Sequence, residues 1–297
     1  MTAADHGAST RGAQERIERL SRSVWRIAVP VYTLPPFDHT NAYLIVDAGV
    51  AVLVDPGSAE SAALDLLDEA LRRAGSPRLS QVVITHSHPD HVDGVGPVLA
   101  RTAEPAVAVH ALEADRLPPE WPRALVAEGD TTKVGEVTLS YLHTPGHSPG
   151  HLTIVVTEPD GAIIALAGDL VAAEGSVWVG LPDGDMAQYL TSLKRIVATG
   201  AGLVGAGHGP AIRSVESRLA EMADHRLERE RQVVGALADS SLTARQITEK
   251  VYPPLPQPVL ELAVKSVEAH LVKLEGEARV RRTDSLVGTS ESTYTLA

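Results

Sequence analysis

The sequence predicts an α/β fold: an alternating strand-and-helix domain over about residues 23–215, followed by a small, mostly helical unit over 216–297. Three observations lead there. From Val24 to Ser214, short apolar runs of strand length alternate with loops and with stretches of helical periodicity. Several of those runs end in an Asp or His beside Gly or Pro. After about Val215 the chain changes to long, charged, amphipathic segments broken by proline.

Residues 1–22 offer little apolar surface and are expected to be loose. "NAYLIVDAG" and "VAVLVDPG" (41–57) are two strands around a Gly-containing turn, hence a hairpin. "SAALDLLDEALRRAG" (61–75) has apolar residues at helical spacing and a Gly stop. "LSQVVITH" (79–86) reads as a buried strand, with "AVAVH" (106–110) and "VTLSYLHTPG" (137–146) as others. "LTIVVTEPDGAIIALAGD" (152–169) is a strand pair with "PDG" as its turn. "DMAQYLTSLKRIVATG" (185–200) is a helix, and "AGLVGAGHG" (201–209) is a short strand entering a Gly-rich loop. In the tail, 216–239, 243–252 and 259–277 read as helices, with "PPLPQP" (253–258) as a break. Residues 278–296 close as two short strands. Three helices and a two-stranded ribbon outline a winged helix.

Composition narrows the chemistry. The 297 residues include no cysteine, which excludes disulfides, thiolate metal sites and a cysteine nucleophile. Any metal must be held by His, Asp or Glu. A single Phe leaves the core to Val, Leu, Ile and Ala. No apolar run is long enough to span a bilayer, and the N-terminus lacks the apolar middle of a secretory signal, so a cytoplasmic protein is expected. The net charge of −12 argues against a surface built to hold a nucleic-acid backbone.

The chemistry concentrates in "VVITHSHPDHVDG" (82–94). His86 and His88 stand two apart, so extended backbone points them the same way. Pro89 stops the strand, and Asp90 and His91 follow at a helix start. Grouped histidines without a ligand would carry a desolvation and repulsion cost. Three further candidates each lie just past a strand: His147 in "HTPGHSPGH", Asp169 in "ALAGDLV" and His208 in "GAGHGPA". All of these ends can converge on one sheet edge, which points to a bound metal. Nitrogen and oxygen ligands without thiolate suit zinc first, with iron and manganese as alternatives.

His-x-His-x-Asp-His, a distant His in "TPGHSPGH", then "GD", then "GHG", resembles the metallo-β-lactamase superfamily over roughly Tyr32 to Ile212. The tail with "HRLERERQVVGAL" resembles the β-lactamase-associated winged helix, and the two together resemble the β-lactamase-like protein 2 group. The resemblance implies a four-layer αβ/βα sandwich and two divalent metal ions. His86, His88 and His147 would bind the first and Asp90, His91 and His208 the second, with Asp169 bridging. A metal-bridging hydroxide would attack a carbonyl, and Asp90 would also orient it. His88 separates this pattern from the flavodiiron branch, which carries a carboxylate there. Asp55 in "VLVDPG" would fix a ligand imidazole through its outer nitrogen; the alternative is a turn-forming Asp before Pro-Gly. His151 stands either as such a donor or as a proton source for the leaving group, against a solvated turn histidine. Trp178 either packs on an acyl group or fills a gap beside the core. His39, His110 and His143 are taken as structural loop or strand-end histidines, His225 and His270 as tail-helix residues, and Asn41 as a residue able to face the pocket.

Three functions compete. The first is a dinuclear hydrolase of a small-molecule or acyl substrate, such as a thioester, lactone or related ester. The second is an endoribonuclease or other phosphodiesterase using the same metals. The third is a DNA-binding metal sensor. Residues 216–297 hold 11 Lys and Arg against 13 Asp and Glu, and the rest hold 15 against 25. Neither part is basic, so the hydrolase is preferred over both nucleic-acid functions. The tail is then expected to pack on the metal domain, help wall the pocket, or make a homodimer contact. True β-lactamase activity is not expected, because it would require an export signal.

Overall fold

The computed structural model describes residues 16–33, 37–103, 105–283 and 292–297. Strands β1 (Ile17–Arg19), β2 (Val24–Pro30), β3 (His39–Asp47), β4 (Val50–Val54), β5 (Arg78–Val83), β6 (Ala106–His110) and β7 (Arg123–Val126) form one sheet in that order. Its first half is antiparallel, and β4 to β7 run parallel. A second sheet has the order β12 (Leu203–Gly205), β11 (Ile163–Leu166), β10 (Leu152–Thr157), β9 (Val137–His143), β8 (Thr131–Val134). Only the β11–β12 pair in it is parallel.

Strand periodicity builds the layers. In β3, Leu44 faces outward into one core, while Tyr43 and Ile45 face the other sheet. Leu53 and Val52 divide the same way in β4. Both faces are buried, so these strands read as continuous apolar runs rather than alternating ones. The outer core is closed by α1 (Ser61–Arg73) and α3 (Val95–Arg101), through Leu64, Leu67, Val95 and Leu99. The middle core joins Val52, Val54 and Val83 to Leu139, Leu152, Ile154 and Leu166. A third packs the second sheet against α5 (Met186–Ala198) and the start of α6 (Val215–Ala236), through Tyr189, Leu193, Leu219 and Met222. The order is helix, sheet, sheet, helix, the expected four-layer sandwich. Each fully buried Leu or Ile contributes about 2 kcal/mol of transfer free energy.

Local signals explain individual elements. The β3–β4 hairpin turns through Ala48 and Gly49, with φ of +50° and +74°. Two left-handed residues match the twist of the strands, and Gly supplies one of them without penalty. Helix α1 buries Ala63, Leu64, Leu66, Leu67 and Ala70, pairs Glu69 with Arg73 at 2.7 Å, and stops before Gly75. The segment "GVGPVLA" (94–100) enters α3 and packs Val95, Val98 and Leu99 into the core.

Residues 1–15 of the segment expected to be loose lie outside the described residues. Its last part is ordered: β1 pairs with β2, and Ile17 enters the outer core. One apolar residue among charges carries no periodicity, so the sequence gives no warning of this strand.

Beyond α6 the chain forms β13 (Leu242–Thr243), α7 (Ala244–Val251), α8 (Gln257–Gly276), β14 (Val280–Thr283) and β15 (Thr293–Leu296). Thr243 and Gln246 make a reciprocal capping box at the start of α7. Helix α8 begins two residues before the expected Val259, because Pro258 fits a first helical turn. The small sheet has the order β13-β15-β14, one strand more than expected, since two residues are too few to show a period. This is a winged helix around a core of Val233, Ile247, Val267, Leu271 and Leu274. Helix α6 belongs to both units: its first turns pack in the sandwich, and Val233 packs in the tail.

Candidate metal centre

Five strand ends meet at one edge of the sandwich. Strand β4 ends before Asp55, β5 before His86, β9 before His147, β11 before Asp169 and β12 before His208. The two sheets are tied there by Leu152 N–H donating to Thr85 O at 2.9 Å. The short helix α2 (Pro89–Val92) follows directly, with Pro at its first turn, and presents Asp90 and His91. Gly207 and Gly209 flank His208.

The structure brings all seven predicted ligands together. His86, His88, His147 and Asp169 form one group, and Asp90, His91 and His208 another; within each, the candidate donor atoms lie within 4.8 Å of one another. His86 Nε2 and His147 Nε2 lie 3.0 and 2.9 Å from His88 Nδ1. Asp169 stands between the groups. Its Oδ1 is 3.2 Å from both His91 Nε2 and His208 Nε2, and its Oδ2 is 3.8 Å from His147 Nε2. Asp90 Oδ2 lies 3.5 Å from His208 Nε2 and accepts from Thr33 Oγ1 at 2.9 Å. His86 and His91 are fully buried, while His88, Asp90, Asp169 and His208 are partly open, so the centre faces solvent on that side.

The outer nitrogens show which atoms are free to bind a cation. Carbonyl and carboxylate oxygens only accept, so an imidazole nitrogen beside one must carry the proton. His147 Nδ1 donates to Trp178 O at 2.8 Å, His208 Nδ1 to His39 O at 2.8 Å, and His91 Nδ1 to Asp55 Oδ2 at 2.9 Å. Thr85 Oγ1 donates to Asp55 Oδ2 at 2.6 Å, so the same hydroxyl oxygen, its proton committed, accepts from His86 Nδ1–H at 3.0 Å. In all four rings Nε2 is left as the nitrogen that faces the other ligands. The buried His91 Nε2 and Asp169 Oδ1 make no hydrogen bond although they face each other. A donor set of this kind, with orphaned atoms at its centre, fits a pair of divalent cations.

The electrostatics agree. Burial, reinforced by the neighbouring imidazoles, drives His86 well below the usual histidine range and holds His88 down to about 4. These rings are neutral at pH 7 and keep their lone pairs. Burial also acts against charge on His91 and His208, but Asp169 outweighs it and raises both. Protons therefore compete with a cation more strongly at that group.

Asp55 does more than the sequence suggested. It sits in the left-handed region (φ +49°) at the end of β4, takes Thr85 N–H at 2.8 Å, and holds His91 directly and His86 through Thr85. His151 is fully buried behind His86, with ring centroids 5.3 Å apart. Its Nδ1 meets Thr144 Oγ1 at 3.2 Å, and its Nε2 has no partner. Asn41 does not face the pocket; its amide donates to Ala206 O and Gly209 O at 2.9 and 2.7 Å and so shapes the His208 loop. His39 has a function after all, through its backbone carbonyl on His208. His110 and His143 stack on each other, with ring centroids 4.3 Å apart.

Glu113 was not singled out in the sequence. On α4 (Ala111–Ala114), and fully buried, it accepts from Ser87 N and Oγ with one oxygen and from Gly150 N, at 2.8 Å, with the other. It thus ties the His86–His88 loop to the His147–His151 loop. A charged residue on a helix start reads as solvated, and only its burial reveals it.

A two-sheet sandwich with a histidine and aspartate cluster at its strand ends is the architecture of a metal-dependent hydrolase. Residues 35–208 match the metallo-beta-lactamase superfamily and residues 243–289 the beta-lactamase associated winged helix domain, and the chain belongs to that superfamily. It is 28% identical over 264 residues to a beta-lactamase-like protein 2 homolog of Caenorhabditis elegans, covering 88% of this chain and 86% of that protein. It is also 28% identical over 250 residues to an atrochrysone carboxyl ACP thioesterase of Aspergillus chevalieri, covering 81% and 77%. The structure of a beta-lactamase domain protein from Burkholderia ambifaria superposes with a TM-score of 0.81 over 95% of this chain and 93% of that one, at 23% identity. The protein is a hydrolase, and no described helix is long and apolar enough to cross a membrane.

Proposed function

We propose that the chain is a dinuclear metal-dependent hydrolase of a carbonyl substrate, a thioester, lactone or related ester. The observation that carries this is Asp169, whose two oxygens face different histidine groups. His86, His88 and His147 would hold one divalent cation and Asp90, His91 and His208 the other, with Asp169 shared between the two groups. Zinc suits this thiolate-free set best. When bound, the cations supply Lewis acidity and lower the pKa of water toward ~7.

The chain's own groups do the rest. Asp55, Thr85, Trp178 and His39 hold four imidazoles in the tautomer that leaves Nε2 free. Asp90, at the open side, orients the attacking water. Full burial of His151 speaks against proton delivery to a leaving group, and with Nδ1 on Thr144 Oγ1 its ring packs behind His86. Catalysis lies in residues 23–215, with 216–297 as the winged unit.

Thioester cleavage is supported by the thioesterase relative. Charge speaks against the nuclease. On α8, Lys265 pairs with Glu268 at 2.9 Å and Lys273 with Glu230 at 2.6 Å, and Arg279 also meets Glu230 at 2.6 Å. These pairings neutralise the lysines of α8, the helix that would have to face phosphates.

The test is elemental mass spectrometry of the purified protein alongside turnover of a thioester and lactone panel and a labelled RNA. Two zinc per chain with thioester cleavage is expected. RNA cleavage without ester turnover would reverse the order of the two functions, and a chain that takes up no metal would remove the proposal.

Glu113→Gln provides a sharper check of the ligand geometry. Glutamine offers one oxygen and one NH₂, so one ligand loop loses its acceptor and meets a donor. Affinity for one cation should fall by about tenfold. Unchanged affinity in chelator competition would leave Glu113 a role in folding stability alone.

A further inference from the structure

The loop between Asp169 and α5 carries the carbonyl that fixes His147, and over residues 171–185 it has no regular secondary structure of its own. The winged-helix side holds it at three points. Trp178 Nε1–H donates to Leu262 O on α8 at 3.1 Å. Leu181 N–H donates to Lys265 O, one turn further along α8, at 3.3 Å. Arg226 on α6 donates to Val177 O, the carbonyl just before Trp178.

These contacts are built rather than incidental. Arg226 is only 5% exposed, and its guanidinium lies over the ring of Tyr189, 5.5 Å from the centroid. Burying a guanidinium is costly unless it is hydrogen-bonded, so its place fixes the Val177 carbonyl. Gly180 packs under the Trp178 ring: an added Cβ there would come within 2.6 Å of the indole, so the turn closes only around glycine. The indole thereby presents its N–H to α8 while the same residue's carbonyl faces His147.

We infer that the winged-helix unit is a working part of the metal centre: α6 and α8 hold the Trp178 carbonyl where it orients the His147 imidazole. The inference rests on His147 being a ligand. It differs from a tail that merely covers the pocket, because it predicts that cutting a tail-to-loop bond weakens one cation site selectively. If the carbonyl drifts, His147 Nδ1–H loses its acceptor, the ring turns, and the Nε2 lone pair no longer points at His88 and Asp169. Trp178 and Arg226 are therefore positioning residues.

The experiment uses the full chain and two variants. Trp178→Phe keeps an aromatic ring and the backbone carbonyl but removes the N–H to Leu262, and Arg226→Gln removes the clamp on Val177. Zn²⁺ affinity is measured against a chromophoric chelator, with His147→Ala identifying the phase that belongs to the His86, His88 and His147 group. Thermal melting of the zinc-free proteins runs in parallel. Both variants should weaken that phase by about tenfold and leave the other unchanged. Two zinc on the parent with both phases unchanged in the variants overturns the inference alone. Equal weakening of both phases, following a lowered melting temperature, overturns it too, since that is loss of stability rather than of aim. A parent that binds no zinc overturns the ligand role of His147 and the inference together.

Discussion

Asp169→Asn is expected to lower kcat/KM on the best ester substrate on the order of 10³-fold, equivalent to about 4 kcal/mol of transition-state stabilisation. Asp169 stands apart from the other six candidate ligands because its two oxygens face different histidine groups. Oδ1 stands 3.2 Å from His91 and His208, and Oδ2 stands 3.8 Å from His147. Asparagine keeps the volume but presents one oxygen, one NH₂ and no charge. The NH₂ would point donors at a cation, and the lost charge would leave two dications closer to unscreened repulsion. The variant should therefore retain at most one zinc per chain, with little change in the far-ultraviolet circular dichroism. Elemental mass spectrometry and steady-state kinetics together decide it. Two zinc with parental turnover would mean that Asp169 does not bridge.

Gly207→Ala should be nearly as damaging, although it adds only a methyl group. A Cβ at Gly207 would lie 2.0 Å from Asp169 Oδ1, 3.0 Å from the Gly168 carbonyl carbon and 3.1 Å from His91 Cε1. The first distance is far inside van der Waals contact, and the other two are close enough to block a sideways shift. Gly207 is also anchored: its N–H donates to Gly168 O and its C=O accepts from Asn41 N–H, each at 2.7 Å. The backbone cannot retreat, so the carboxylate must. A displacement of about 1 Å in a reacting constellation costs on the order of 10²-fold, and that is the expected loss of turnover. The backbone angle is not in the left-handed region, so the fold itself should tolerate alanine. A melting temperature near that of the parent with hundredfold lower turnover would confirm the steric account, and parental turnover would refute it.

Much of this centre was visible in the chain because ligand types are chemically conspicuous and strand ends are locally encoded. Histidines two apart beside Pro89, and His147, Asp169 and His208 past apolar runs, are statements about side chains and short-range backbone. The hairpin at Ala48–Gly49 and the cap at Thr243 are equally local. Elements without a local period escaped: β1 hangs on one buried Ile17, and β13 is two residues long.

Apart from Asp55, which the resemblance already implied without naming its partner, the supporting groups were assigned by tertiary structure alone. Glu113 and Ser87 are 26 positions apart, Asp55 and His91 36, Trp178 and Leu262 84, and His39 and His208 169. Two of these partners are backbone carbonyls, which every residue possesses and which leave no mark on composition. Arg226, on a highly charged helix, has the sequence signature of a solvated arginine, yet packing buries it against the loop that holds His147. The residues that can bind cations follow from side-chain chemistry, which is written in each letter. The residues that aim them follow from which surfaces meet when two sheets and a winged helix close, and no short stretch of sequence contains that information.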